Sequence, residues 1–124
     1  MVQDAINAWN ATGVVKLIVI KSPANAYLTI KNGNYGNTSW AGETTTRQSS
    51  TGKRSAEILL NNFYDAYLSY QSQVNVAEHE LGLAIGLNHI DSQPSVMNSA
   101  ISPDRSYPIQ PIDIETVKAI YREK

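Results

Sequence analysis

The stretch VAEHELGLAIGLNHID, residues 76–91, decides how this chain is interpreted. On a helix of 3.6 residues per turn, its small and aliphatic side chains gather on one face: Ala77, Leu81, Ala84 and Ile85. The opposite face carries His79, Glu80, Leu83 and Gly86, and Gly86 permits a left-handed exit from the helix. That exit would bring His89 back toward His79. The stretch therefore predicts a helix over 76–86 with one core face and one face that builds a site.

The segments around this helix predict an α+β fold. Apolar residues at positions 2, 5, 6 and 9 follow a helical period and indicate a first amphipathic helix that ends near Gly13, with Trp9 in the core. Strands are predicted for 14–20 (VVKLIVI, largely buried), 26–31, 39–48 (polar, at a sheet edge) and 55–61. A helix is predicted around NFYDAYLSYQ, and Pro111 marks the start of a last helix over 111–121.

Length, charge and composition exclude several classes of protein. A chain of 124 residues with 42% hydrophobic content has the size of one domain. Its net charge of −1, with both signs interspersed, gives no reason to expect a nucleic acid as partner. No segment approaches the roughly 18 apolar residues that span a bilayer. Because the chain has no cysteine, any zinc would be held by His, Asp or Glu.

The pattern HELGLAIGLNH, residues 79–89, resembles the zinc-binding consensus H-E-x-x-H-x-x-G-x-x-H of the metzincin metallopeptidases. The SVM at 95–97 resembles their Met-turn. Together with AINAWN, WAGETTT and the last helix, the spacing is most similar to the matrixin branch, and the resemblance covers nearly the whole chain. It implies a mixed, mostly parallel twisted sheet, an active-site helix, and a small C-terminal subdomain with the Met-turn and the final helix. It also implies one domain over 1–124, divided into 1–88 and 89–124.

The resemblance also implies roles for individual residues. His79 and His89 would be zinc ligands, Glu80 the general base of peptide-bond hydrolysis, and Met97 the floor beneath the metal. The substrate cleft would be lined by five residues: Trp40, Ala41, Gly42, Tyr107 and Pro108. A polypeptide substrate is expected to lie along 39–48 by strand addition. Without the family pattern, Met97 would be interpreted as an ordinary core residue, and Tyr107-Pro108 as part of a turn.

Leu83 is the one departure from the consensus, because it stands where the second zinc-binding histidine is expected. A leucine on a helix is usually a core residue, but here the core face is filled without it, so a damaged metal site is the better interpretation. Asp91, two residues past His89, is the possible substitute ligand. Zinc is therefore expected to bind weakly or not at all, and no histidine remains for a second zinc. The sequence does not decide calcium binding.

Two functions follow from these observations. The first is a zinc-dependent endopeptidase of the M10 type, a hydrolase impaired or inactivated at Leu83. The second is a non-catalytic peptide-binding pseudoprotease that keeps the cleft. The resemblance implies a secreted protein, although the chain opens without a signal peptide and Met1 reads as the start of a fragment. The sequence leaves the oligomeric state and the natural substrate open.

Overall fold

Apart from the segment 14–20, the strands and helices follow the predicted order along the chain. The structure is a computed structural model that describes residues 1–20, 27–38, 40–48, 50, 54–99 and 106–122. Its elements are α1 (Val2–Ala11), β1 (Leu28–Gly33), β2 (Gly42–Gln48), β3 (Arg54–Asn61), a 3-10 helix (Asn62–Tyr67), α2 (Tyr70–Ile85) and α3 (Pro111–Arg122). The α+β class is confirmed. None of the helices in the described part is long and apolar enough to cross a bilayer.

The three described strands form a mixed sheet in the order β1-β3-β2. β1 runs parallel to β3, and β2 runs antiparallel to β3. Side chains alternate across a sheet, so every second residue of β3 faces the helices, and Ile58 and Leu60 are buried there. Thr44 of β2 lies opposite Ile58 and Gly42 lies opposite Leu60, which places this end of β2 on the same face.

The segment 14–20, predicted as a largely buried strand, is not a strand in the structure. Ile18 and Val19 are 70% and 67% exposed. The backbone N–H of Leu17 donates to the side chain of Asn10 (2.7 Å), and the Asn10 amide donates back to the Leu17 carbonyl (3.0 Å). The prediction was wrong because β-branched composition reports only a preference, whereas a strand needs a neighbouring strand to pair with.

Helix α2 runs through the centre of the protein and is longer than predicted, since it begins at Tyr70 rather than at residue 76. Ser69 caps its start by accepting a hydrogen bond from the Ser72 amide (3.1 Å). Trp9 of α1 is fully buried against α2, as predicted, and its indole N–H donates to the Glu78 carbonyl (2.9 Å). The predicted left-handed exit is confirmed, because Gly86 has φ 127°.

Gly82 lets α2 approach the segment that carries Met97. A Cβ atom at position 82 would lie 2.5 Å from the Met97 sulfur and 3.4 Å from the Trp9 ring. Met97 and Trp9 are both completely buried, so neither side chain has solvent into which it could move. The absence of a side chain at Gly82 therefore sets the spacing between α2 and the Met97 segment.

We expect Gly82→Ala to lower the free energy of unfolding by about 1–3 kcal/mol through overpacking, although alanine is about 1 kcal/mol better than glycine inside a helix. Chemical denaturation followed by tryptophan fluorescence measures the change. Combining Gly82→Ala with Met97→Ala should cost less than the sum of the two single changes, because the shortened side chain removes the contact. A more stable Gly82→Ala protein would show that the contact imposes no constraint.

Candidate active site

His79 lies in the middle of α2 and is 4% exposed. Its ring Nδ1 is 2.8 Å from the Val96 carbonyl oxygen, so Nδ1–H donates and Nε2 is left as the acceptor nitrogen. Burial lowers the pKa of His79, which favours this neutral form. The His89 ring stacks on the His79 ring, with centroids 5.2 Å apart and planes inclined by 29°. The structure thus brings the two histidines of the chain together, as the sequence predicted.

Glu80 is also buried, beneath the first residues of β2. The Thr44 hydroxyl donates to one carboxylate oxygen of Glu80 (2.7 Å), and its oxygen also lies 3.1 Å from the Glu80 backbone carbonyl. Burial raises the pKa of Glu80 to about 7, and the Thr44 hydrogen bond acts in the opposite direction. The other carboxylate oxygen is 3.9 Å from His79 Nε2, which is too long for a hydrogen bond. Because the two pKa shifts favour neutral groups, this contact is not a strong ion pair.

The predicted Met-turn is held by Asp113 of α3. Asp113 is fully buried, and its carboxylate accepts hydrogen bonds from the Ser95 hydroxyl (2.5 Å) and the Val96 amide (3.1 Å). The Ser95 hydroxyl oxygen in turn accepts from the Met97 amide (2.8 Å). Since Val96 also receives the His79 hydrogen bond, α3 helps to orient His79 through this turn.

Leu83 lies one helical turn beyond His79 and is half-buried. Part of its surface packs against the hydrophobic core, but it is not one of the buried core residues. The helical spacing still places its Cβ on the side of α2 that carries His79. The side chain at position 83 is therefore aliphatic, where the family resemblance implies a third zinc-binding nitrogen atom.

Asp91 does not join the two histidines as a third donor. Its carboxylate is exposed and accepts hydrogen bonds from the Ser99 amide (2.9 Å) and the Ser99 hydroxyl (2.8 Å). These hydrogen bonds lower the pKa of Asp91. Among the described residues, no group of three His, Cys, Asp or Glu side chains is placed to hold a metal ion. A catalytic zinc needs three protein ligands and an open position, so the donor set does not fit one.

The five residues predicted to line the cleft lie in two places, at the start of β2 and in the loop before α3. Gly42 touches the site directly, because a Cβ there would lie 2.8 Å from the Glu80 side chain. Trp40 and Ala41 lead into β2, and the Ala41 carbonyl accepts from the backbone amide of Asn61 (2.8 Å). Tyr107 and Pro108 are exposed and stand in the loop before α3. Their predicted role as a pocket wall stays a prediction.

Three residues that support the site were missed from the sequence: Thr44, Asn61 and Asp113. Asn61 is buried, and its side chain bonds the backbone of Tyr35 (3.0 Å) and Gly36 (3.0 Å), which fixes the loop before Trp40. Asp113 carried a signal, since an acidic residue just after Pro111 is typical of a helix start. Thr44 carried none, because its partner Glu80 is 36 residues away.

Comparison with known proteins finds a matching family. A sequence model of one family, Matrixin (Peptidase_M10), matches residues 2–122. The match spans α1, the sheet, α2 and α3, and it includes every residue described above at the site. No curated protein matches the chain.

Glu78 is a second buried carboxyl group beside the site. It is 3% exposed, and its Oε1 atom has no hydrogen-bond partner in the described part of the chain. Burial raises its pKa from 4.5 to about 7. Because the folded state holds a proton that the unfolded state releases, stability falls as pH rises from about 4.5 to about 7. Full ionisation costs on the order of 3 kcal/mol.

We expect Glu78→Gln to raise the free energy of unfolding above pH 7 and to leave it nearly unchanged near pH 4, because glutamine has no charge to bury. Urea denaturation at a series of pH values measures the slope, which should become less negative, because the contributions of Glu80 and of His79, whose pKa is shifted downward, remain. Glu115→Gln, at an exposed position on α3, is the control. An unchanged slope in Glu78→Gln would contradict the assignment.

Proposed function

Because the chain belongs to the matrixin family of metallopeptidases, we propose that it is an endopeptidase domain whose hydrolytic activity is impaired at Leu83. It retains the polypeptide-binding cleft and the general base, Glu80. The substrate class is an extended polypeptide. Matrixins are generally extracellular proteins, and we place this chain outside the cell on that ground.

The observation that carries this proposal is the donor set around Glu80. His79 and His89 are stacked on each other, while the remaining position on the same side of α2 is Leu83. Two imidazoles do not provide the coordination that a catalytic zinc requires. The impairment is therefore a loss of one ligand in a site whose other parts are in register.

Glu80 and Thr44 retain a chemical role at this site. The raised pKa of Glu80, about 7, leaves its carboxyl group partly protonated at neutral pH. A protonated carboxyl group can donate a hydrogen bond, and an ionised one can accept a proton. Thr44 and the close backbone at Gly42 orient this carboxyl group, so it is preorganised for a polypeptide on β2.

The bound polypeptide would lie along β2. Within the described sheet, β2 pairs with β3 on one side only, so its other edge offers backbone groups for strand addition. The edge passes directly above Glu80, because both Gly42 and Thr44 contact that residue. A strand on this edge would bring a peptide bond near the carboxyl group.

The second candidate is a non-catalytic peptide-binding pseudoprotease, favoured by the way Leu83 is accommodated. Leu83 packs against the hydrophobic core as well as lying near His79, so it stabilises the fold where a histidine would have to be solvated or ligated. Under this alternative Glu80 only positions the polypeptide. The two candidates differ in whether a third ligand is enough to bring back hydrolysis.

We expect the purified chain to bind zinc about a hundredfold more weakly than Leu83→His, because one ligand is worth on the order of 3 kcal/mol. Competition with a chromophoric chelator measures both affinities. Gln71→His, which adds a histidine to an exposed position on the same helix, is the control and should bind like the original chain. One tightly retained zinc ion in the original chain would mean that another residue supplies the third ligand.

We also expect Leu83→His to cleave a mixed peptide library when zinc is supplied, and Leu83→His combined with Glu80→Gln to bind zinc without cleaving. Mass spectrometry of the library after incubation measures cleavage. Zinc-loaded Leu83→His that cuts nothing would favour the pseudoprotease. If the original chain cleaves the library as fast as Leu83→His, the proposed impairment is wrong.

A further inference from the structure

Two aromatic side chains meet just before β2 begins. The Tyr35 and Trp40 rings have their centroids 5.6 Å apart, with planes inclined by 42°, and we call them the aromatic pair. Tyr35 is 40% exposed, and Trp40 is half-buried. Two residues of extended chain span about 7 Å, so the Trp40 backbone lies within that distance of Gly42, where β2 approaches Glu80. The aromatic pair therefore lies beside the cleft.

Strand addition along β2 stops at Gly42, because the backbone groups of Trp40 are already bonded. The Ala41 carbonyl accepts from the Asn61 amide (2.8 Å), so the backbone of Ala41 faces β3. The backbones of its neighbours, Trp40 and Gly42, therefore face the outer edge. The Trp40 amide donates to the Thr38 hydroxyl (3.3 Å), and the Trp40 carbonyl accepts from that hydroxyl (2.7 Å) and from the Asn61 side chain (3.4 Å). A polypeptide that passes Trp40 must be recognised there by side chains.

The buried side chain of Asn61 holds the aromatic pair in position. It accepts from the Tyr35 amide (3.0 Å) and donates to the Gly36 carbonyl (3.0 Å) and the Thr38 hydroxyl (2.9 Å). The Tyr35 ring lies over Gly33, where a Cβ atom would be 3.3 Å from it. A ligand that binds the aromatic pair therefore loses little affinity to ordering of the loop.

The polar groups around the aromatic pair offer mainly hydrogen-bond donors. Within the part of the chain that the structure describes, the Trp40 indole N–H and the Tyr35 hydroxyl have no hydrogen-bond partner. The side-chain carbonyl of Asn34 accepts from a backbone amide (2.9 Å), and that of Asn37 accepts from the Tyr64 hydroxyl (3.2 Å). An indole N–H can only donate. This surface therefore suits a ligand that accepts hydrogen bonds and has few N–H groups.

We propose that the aromatic pair binds proline residues of the polypeptide that lies along β2, an inference that rests on the proposed function and makes proline-rich polypeptides its substrate class. Proline has no backbone N–H, while its carbonyl accepts hydrogen bonds. A polyproline II segment leaves its carbonyls exposed, and aromatic-lined grooves are a recurring site for it. The polypeptide pairs with β2 as a strand from Gly42 onward and passes Trp40 as polyproline II.

The inventory of donors selects proline over other ligands that stack on aromatic rings. A carbohydrate presents hydroxyl groups that donate as well as accept, and the carbonyls of Asn34 and Asn37 that would accept from them are already bonded. A continued β-strand presents N–H groups, which the Trp40 indole cannot accept. A proline segment presents carbonyls and apolar rings alone.

The test uses the whole chain and three fluorescein-labelled octapeptides. One joins Thr-Val-Thr-Val to four prolines, the second has these halves in reverse order, and the third has alanine in place of each proline. Fluorescence anisotropy measures the affinities. We expect the proline peptide whose order places the prolines beside Trp40 to bind about tenfold more tightly than the alanine peptide, because each of two added hydrogen bonds raises affinity severalfold.

Tryptophan emission locates the prolines. The chain has two tryptophans, and Trp9 is completely buried, so a change in emission on binding reports on Trp40. With unlabelled peptides at equal occupancy, we expect a blue shift with the tighter proline peptide, because the packed ring leaves water, and a much smaller shift with the alanine peptide.

Two variants of the chain remove the donors and retain the rings. Trp40→Phe lacks the indole N–H, and Tyr35→Phe lacks the hydroxyl. We expect each to weaken binding of the tighter proline peptide roughly three- to tenfold and to leave binding of the alanine peptide unchanged. Tyr27→Phe, at an exposed tyrosine just before β1, is the matched control and should bind like the original chain. The melting temperature of each variant establishes that it is folded.

Several outcomes would overturn the proposal. Equal affinity for all three peptides, with amide chemical shifts at Gly42–Gln48, would remove the inference and leave the proposed function intact. An equal loss for the proline and alanine peptides in Trp40→Phe or Tyr35→Phe would mean that these variants only disturb the start of β2. Binding of cellohexaose in place of the proline peptides would identify a carbohydrate as the occupant. If no peptide binds at millimolar concentration, both the inference and the polypeptide cleft at β2 are wrong.

Discussion

The hydrogen bond from His79 to the Val96 carbonyl joins the two halves of the site, and the arrangement of the other parts depends on it. It fixes the orientation of the His79 ring, whose Nε2 lies 3.9 Å from a Glu80 carboxylate oxygen while the His89 ring stacks on its face. Val96 is held in turn by Asp113 of α3, a residue 34 positions after His79 along the chain. Gly82 makes the contact possible, since only a residue without a side chain lets α2 come this close to Met97.

The electrostatic cost of this arrangement falls on α2. Glu78, His79 and Glu80 are consecutive buried ionisable residues, and burial shifts the pKa of each toward its neutral form. Glu80 is compensated in part by the Thr44 hydroxyl, and His79 by the Val96 carbonyl, but one oxygen of Glu78 has no partner among the described residues. On a helix that is buried on nearly all sides, ionisable side chains are costly to ionise because burial removes them from water.

The side chain of Leu83 has no atom that could bind a metal ion, and α2 continues through this position without interruption. Where the family pattern implies three histidine ligands, α2 and the segment after it carry two imidazoles and the aliphatic side chain of Leu83, beside the Glu80 carboxyl group. Because Leu83 also packs against the core, the fold accommodates a leucine at this position. The polypeptide binding that we propose for the backbone edge of β2 does not depend on a metal ligand at position 83.

The sequence by itself determined the α+β class, the helix that carries the site, and the meeting of His79 with His89, whereas the loss of a ligand at Leu83 stays a prediction. These depend on local helical periodicity and on one glycine with a positive φ, which act over a few residues. Tertiary structure alone decided that 14–20 is not a strand, that Thr44 orients Glu80, and that Asp91 bonds Ser99 rather than joining the histidines. Each of these depends on a partner that is distant in sequence or offers a competing hydrogen bond, and neither propensity nor spacing carries that information.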